Sequence, residues 1–323
     1  MTSSEQHNFA VMGAAGYIAP RHIKAIKETG NLLKAAMDPH DSVGILDKYF
    51  TNVQFFTELE RFDRYLEKRR RGPEEDRIEY ISICTPNYLH DAHIRLALRT
   101  GAHAICEKPI VINPWNLDAL EELEREYERR VFTVLQLRVH PALLSVKEQL
   151  GEQNRTTKHL VNLTYVTARG PWYRTSWKGS DPHSGGLATN IGIHLFDLLV
   201  WFFGNVQSTE LHVKQEKTLA GFTEFAGANV RWFLSIDDHH LPFDPVPGVR
   251  TTYRSIEIDG EEVEFTRGFT DLHSVLYMQT LNGHGFGIDH ARPSVELVHR
   301  IRHQEPVVNP ECEHELCATV RRT

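Results

Sequence analysis

The sequence predicts an α/β protein of two domains: a doubly wound parallel sheet, then an α+β domain built on an open, mostly antiparallel sheet. Three observations carry this. The chain has 323 residues, which suits two domains of roughly 100–200 residues each. Up to about residue 137, short apolar runs alternate with amphipathic stretches. Beyond it the hydrophobic period falls towards two. The expected division is therefore 1–137 and 138–323.

In the first part, Phe9–Met12, Leu32–Met37, Ile78–Cys84, His103–Cys106 and Val131–Gln136 are apolar or β-branched runs, as in strands covered on both faces. Helical patterns separate them: His22–Thr29 stopped by Gly30, Glu58–Arg71 stopped by Gly72-Pro73, His90–Thr100 stopped by Gly101, and Pro114–Arg130. Repetition of strand, helix and strand implies parallel strands with right-handed crossovers. The charged run Arg61–Arg77 reads as a solvated helix. In the second part, His159–Thr167 alternates. Within Val230–Ile236, Trp232 shares a face with Val230 and Leu234, and Phe233 with Arg231 and Ser235. Thr252–Asp259 and Glu261–Thr266 flank Asp259-Gly260, a two-residue hairpin signal. A long helix is expected over Ala188–Phe203, with others at Leu272–Leu281 and Ile288–Arg302. A sheet face left open with Trp232 or Phe233 on it would serve as a subunit interface.

Composition narrows the function classes. Lys and Arg number 36 against 43 Asp and Glu, a net charge of −7, so no global field favours nucleic acid or an anionic membrane. No membrane span or signal pattern is read, and four cysteines suit a reducing, cytoplasmic setting. The 19 histidines raise a metal question. Cys312-Glu313-His314-Glu315-Leu316-Cys317 has no second ligand pair, so no metal is expected.

The first strand runs into Gly13-Ala14-Ala15-Gly16-Tyr17-Ile18-Ala19. Glycine here allows a tight turn and close approach of backbone to a pyrophosphate at the next helix's N-terminus. Asp38 ends the second strand 25 residues after Gly13, where a carboxylate would accept bonds from the adenosine ribose. Pro39, His40 and Asp41 follow it, with no cation for a 2′-phosphate, so NAD is expected rather than NADP.

Two further motifs lie downstream: Glu107-Lys108-Pro109, and Gly185-Gly186-Leu187-Ala188-Thr189-Asn190-Ile191-Gly192-Ile193-His194-Leu195-Phe196-Asp197. With the glycine turn they resemble the Gfo/Idh/MocA family of sugar oxidoreductases, which join an N-terminal Rossmann domain carrying E-K-P to a C-terminal open-sheet domain carrying G-G-x-x-x-D-x-G-x-H-x-x-D. The stretches GAAGYIAPRH, CTPNYLH, RG-WY--SWKG, ATNIGIHLFD and GFTDLH are similar to the branch that acts on UDP-linked amino-sugar uronates. This resemblance implies NAD held by Gly13, Ala15, Tyr17, Ile18, Asp38, Thr85, Asn87, His90, Glu107, Lys108 and Gln136. It also implies a cis peptide before Pro109.

Oxidising a secondary alcohol needs a proton acceptor while hydride leaves for nicotinamide. Lys108 ends a strand at the carboxyl edge of the sheet and would bind the alcohol oxygen; Glu107 would orient Lys108 or meet the nicotinamide ribose. His194 is the candidate base. The family commonly has Asp where this chain has Asn190, one turn before His194, so His194 carries more of the proton transfer. Which of Lys108 and His194 is the base stays open.

Ala168–Ser180 holds three cations and three aromatics and no acid. That suits a diphosphate and a carboxylate. Arg169, Tyr173 and Trp177, with Lys108, Asn190 and His194, are the expected substrate contacts; Arg138 and His140 are weaker candidates. The resemblance implies oxidation of the C3 hydroxyl of UDP-N-acetylglucosaminuronic acid, on the way to a diamino uronic acid of surface polysaccharide (lipopolysaccharide O-antigen). It further implies NAD regenerated by 2-oxoglutarate, and a homotetramer. An inositol or hexose dehydrogenase of the same family, and a non-catalytic NAD-dependent sensor, are the competing readings.

Overall fold

The computed structural model describes residues 6–152, 157–246, 249–263, 265 and 271–321. Two compact units emerge, Met1–Gln136 with Thr270–Arg292, and Leu137–Phe269 with Pro293–Thr323.

The first unit is built on a six-stranded sheet of order β3-β2-β1-β4-β5-β6, formed by β1 (Asn8–Met12), β2 (Leu32–Met37), β3 (Gln54–Phe56), β4 (Tyr80–Ile83), β5 (His103–Cys106) and β6 (Val131–Thr133). Every pairing is parallel. The order reverses between β1 and β4, the switch point where such sheets bind ligands. All of β1 is buried, which is why Phe9–Met12 reads as an unbroken apolar run. Helices α1 (Ala19–Glu28), α2 (Leu59–Arg70), α3 (His90–Arg99) and α4 (Trp115–Tyr127) connect the strands. β3 escapes the sequence reading because it is a three-residue edge strand with exposed Gln54. α2 is solvated as its charges suggest. Phe62 and Leu66 are its buried residues, and Glu67 pairs with Arg70 and Arg71.

The second unit carries a mixed sheet of order β12-β11-β7-β10-β9-β8, from β7 (His159–Thr167), β8 (Val206–Gln215), β9 (Thr218–Phe225), β10 (Ala228–Ser235), β11 (Thr252–Ile258) and β12 (Glu261–Glu262). β7 and β10 run parallel and the other pairs antiparallel. Asp259 and Gly260 take φ of 53° and 88°, as the tight β11–β12 hairpin demands. Residues 264 and 266 of the longer strand expected there lie outside the described residues. Helices α5 (Pro141–Glu152), α6 (Trp172–Thr175), α7 (Asp181–Ser184) and α8 (Ile193–Phe203) follow the same unit, with a π-helical turn over Ala188–Gly192 leading into α8. α8 lies against the sheet: the rings of Phe196 and Trp232 meet edge to face at 5.2 Å. A Cβ on Gly192 would stand 2.6 Å from Leu234. The window within Asp181–Phe203 has a mean hydropathy of 1.4, enough for a membrane span, yet 78% of it is buried inside the unit. Its apolarity is that of a core helix.

Three further helices complete the fold: α9 (Leu272–Leu281), α10 (Ile288–His303) and α11 (Cys317–Val320). Two expectations change here. First, α9 and the start of α10 belong to the first unit, although they follow the second unit's sheet in sequence. The chain returns, and hydropathy alone does not show to which core an apolar helix returns. Second, Trp232 and Phe233 are both fully buried, not exposed. Phe233 is covered by the C-terminal segment: His314 stacks on it at 5.5 Å and hydrogen-bonds Thr164 at 3.0 Å. Cys317 and Val320 pack beside it with Val166, Val213 and Ala220. The Cys312–Cys317 stretch is thus a strap across part of the sheet.

Candidate active site

Each unit presents one set of candidate residues. In the first, the β1–α1 turn is shaped by Gly13, with φ of +83°; a Cβ there would lie 2.7 Å from the backbone of Cys84. Its N–H and that of Ala14 donate to the Met37 carbonyl at 2.8 and 3.2 Å. Buried Asp38 accepts from the Ala15 amide on one oxygen and from the His40 amide on the other, both at 2.9 Å. The carboxylate therefore sets the loop and still has lone pairs for ribose hydroxyls. Ile18 stands at the N-cap of α1 without a side-chain cap, and Tyr17 projects into solvent. An uncapped helix start behind a glycine turn suits a pyrophosphate.

Along the same sheet edge, Thr85, Asn87 and His90 are buried. The Thr85 hydroxyl is engaged with His93 at 2.9 Å. Both ring nitrogens of His90 meet carbonyl oxygens, Nδ1 that of Pro109 at 2.6 Å and Nε2 that of Thr85 at 2.8 Å. This corrects the expected role of His90: no ring nitrogen is left for a ligand, and the imidazole braces the two loops from beneath. The Lys108–Pro109 peptide is cis. Glu107 is buried, and one of its oxygens accepts from His22 Nε2 at 3.0 Å and from His273 Nε2 at 3.1 Å. Burial opposes its charge, but the hydrogen bonds and the electrostatic attraction of these two histidines together hold it well below the usual carboxylate range. Its remaining oxygen meets the Lys108 amide at 3.2 Å, which favours orientation of Lys108 over contact with a ribose. Gln136 closes the set, half-buried at the last residue of the unit's first segment.

In the second unit, the motif glycines have a steric cause. Gly185 and Gly186 take successive φ of +81° and +72°, and a Cβ on Gly186 would stand 2.2 Å from an Asp181 oxygen. The π-helical turn then carries Asn190, whose amide donates to the Tyr173 hydroxyl at 2.8 Å. His194, half-buried, follows at the start of α8. The basic-aromatic loop sorts its cations. Exposed Arg174 pairs with Glu216 at 3.2 Å. Lys178 sits 5.5 Å from the Trp172 ring centre and 5.7 Å from that of Trp177. Burial, and then the charge of Arg169, lower its pKa. Burial raises that of Tyr173, against the Asn190 hydrogen bond and Arg169. Arg169 is thus within electrostatic reach of both, in a patch suited to an anion flanked by aromatic faces.

Sequence reasoning missed several partners. Arg138 forms a bidentate pair with Asp197, the last motif residue, at 2.9 and 2.7 Å, both side chains buried. Lys178 stood out only as one of three cations. His22 and His273 lay within recognised stretches, yet their convergence on Glu107 had no signal in spacing. Among the described residues, close His and acid groups occur at His22, Glu107 and His273 and at Asp237, Asp238 and His239. The short separations in both reflect hydrogen bonding within each group.

Comparison with known proteins gives a consistent picture. The NAD-binding Rossmann-fold model of the Gfo/Idh/MocA oxidoreductases matches residues 7–135, and their C-terminal alpha/beta model matches residues 156–309. The WlbA (WbpB) dehydrogenase from Thermus thermophilus, solved with NAD and UDP-GlcNAcA, is 50% identical, with a TM-score of 0.91 over 96% of this chain and 100% of that one. Its complex with NAD and alpha-ketoglutarate gives 51% identity and a TM-score of 0.90 over 96% and 99%. Among curated relatives, D-glucoside 3-dehydrogenase of Escherichia coli is 30% identical over 43% of this chain. An uncharacterized oxidoreductase of Synechocystis is 28% identical over 44%. The match spans only 40% and 38% of those two relatives' own lengths.

Proposed function

Because the chain belongs to the Gfo/Idh/MocA oxidoreductase family, we propose that it oxidises the C3 hydroxyl of UDP-N-acetylglucosaminuronic acid to a ketone, with NAD as hydride acceptor. The observation that carries this is 50% identity over nearly the whole chain to a dehydrogenase solved with NAD and that nucleotide sugar.

The glycine turn, the uncapped start of α1 and Asp38 fit NAD, with Gly13, Ala15, Tyr17, Ile18 and Asp38 on its adenosine and pyrophosphate side. When bound, NAD supplies the electrophilic ring that accepts the hydride. Lys108 offers an ammonium to the alcohol oxygen and stabilises negative charge developing there. His194 takes the proton. Asn190, held by Tyr173, presents an amide where much of the family has a carboxylate, adding no charge beside the base. Arg169 and Lys178, with Trp172 and Trp177, suit the anionic and planar parts of the nucleotide sugar.

The relative's complex with alpha-ketoglutarate supports regeneration of NAD by 2-oxoglutarate. We place the product in amino-sugar uronate synthesis for surface polysaccharide, and the enzyme in the cytoplasm, a setting suited to its four free cysteines. Purified protein incubated with the nucleotide sugar and NAD should yield a ketosugar two mass units lighter, and 2-hydroxyglutarate when 2-oxoglutarate is added. Absence of both products from protein that binds NAD would refute the reading; turnover of inositol in their place would favour the alternative.

We also place the protein as a homotetramer using what the strap leaves uncovered of the Phe233 face. Leu160 is 60% exposed on it, with half-buried Asn162, Phe222 and Arg231. Leu160→Arg is expected to lower the mass measured by light scattering. An unchanged tetramer would move the contact elsewhere, and a monomeric parent would remove it.

A further inference from the structure

Glu107 is the terminus of a buried hydrogen-bonded chain that the reaction, as described, does not use. Four elements supply it: His22 from α1, Ser82 from β4, Glu107 after β5, and His273 and Tyr277 from α9. All five side chains are buried. Ser82 Oγ lies 2.6 Å from the Tyr277 hydroxyl, which lies 2.7 Å from His22 Nδ1. Burial lowers the pKa of His22, against the hydrogen bond to Glu107. Neutral His22 has one N–H. An ionised carboxylate can only accept, so that proton is on Nε2 and Nδ1 accepts from Tyr277. Every donor direction is then fixed: Ser82 to Tyr277, Tyr277 to His22, His22 to Glu107. His273 donates to the same Glu107 oxygen, its ring edge-on to that of His22 at 4.9 Å.

We propose that His22 and His273 are positioning residues of the reaction: together they fix one oxygen of Glu107, so that its other oxygen and its charge are held against Lys108. The role rests on the dehydrogenase reading above. It also gives a reason for the chain's return to the first unit, since α9 brings His273 and Tyr277 to an otherwise incomplete site. The other titratable or charged groups coupled to Glu107, or to those two residues, are Cys84, Cys106, His90, Tyr277 and Arg21. Cys84 and Cys106 are held neutral by burial. Removing either imidazole therefore takes away a donor that no nearby neutral group replaces.

The test compares His22→Leu and His273→Leu with His22→Gln and His273→Gln, since glutamine can still donate to Glu107. Each Leu variant should lose kcat by about tenfold or more, the scale of one hydrogen bond to a buried charge, with NAD affinity within about twofold. Each Gln variant should restore most of the loss. Infrared spectra of the proteins titrated from about pH 8 to about pH 5 should show a protonated-carboxyl band in the Leu variants. That band should exceed the one the other carboxyls, Glu124 among them, give in the parent, and the excess should vanish in Leu variants that also carry Glu107→Gln. Equal kcat in Leu variants and parent, equal loss in Leu and Gln variants, or no such infrared excess would overturn the positioning role. If the parent itself is inert towards the nucleotide sugar, the functional reading falls and takes this role with it; the two failures are thus told apart by the parent's own activity.

Discussion

Lys108→Met is expected to lower kcat by about 10³-fold, in the range that a single positioned donor or acid–base group commands, while NAD binding and thermal stability stay near the parent's. Methionine keeps most of the length of the side chain and removes the ammonium. The surrounding turn has other anchors: His90 faces the Pro109 carbonyl, and Glu107 accepts from the Lys108 amide. KM for the nucleotide sugar should change much less than kcat, since the lost interaction strengthens as charge develops on the alcohol oxygen. Steady-state kinetics with a cofactor titration decide it. A loss confined to KM would make Lys108 a binding residue, and full activity would remove it from the site. In the same assay, an acid limb in the kcat profile that disappears in His194→Asn would identify His194 as the base, because an imidazole accepts a proton only above its own pKa.

The largest stability effect is expected at Arg138. Arg138→Met takes from the buried Asp197 carboxylate the bidentate guanidinium that now meets both of its oxygens. Breaking a buried pair from one side costs about 3–5 kcal/mol. For a protein of this size that lowers Tm by roughly 5 °C. The combined variant Arg138→Met, Asp197→Leu should recover most of the loss, because two apolar side chains need no partner. Asp197 lies three residues after His194 on α8, so the single variant should also disturb the base, while the double variant reports stability separately. Denaturation followed by circular dichroism checks both. A single variant as stable as the parent would show that the pair contributes little.

How much of this was legible varied with the range of the interaction. β1, β2, β5 and β7 were readable because burial on both faces, or on one, prints a period into the residues themselves. β8 and β9 were not picked out: they take their place by pairing across the sheet, and β8 has irregular register near Val206 and Leu211. Asp38 was found from its distance to the glycine turn, a local rule. His90 was expected as a cofactor contact from the family resemblance, whereas both of its nitrogens face carbonyls that meet only after β4 and β5 align. Trp232 and Phe233 were correctly assigned to opposite faces. That the Phe233 face would be covered depended on a segment some 80 residues later.

The sequence by itself determined the two-part α/β architecture, the NAD turn with its acidic partner, and the family motifs that carry Lys108 and His194. All of these are written in spacings of a few residues, where helix and strand geometry relate neighbours directly. Only the tertiary structure decided which core receives α9, why Asp197 is acidic, and what Glu107 touches. Each of those depends on side chains from distant segments satisfying one another's buried hydrogen bonds and charges. No periodicity encodes that requirement, because it is imposed by loss of water at the site and not by the local path of the chain.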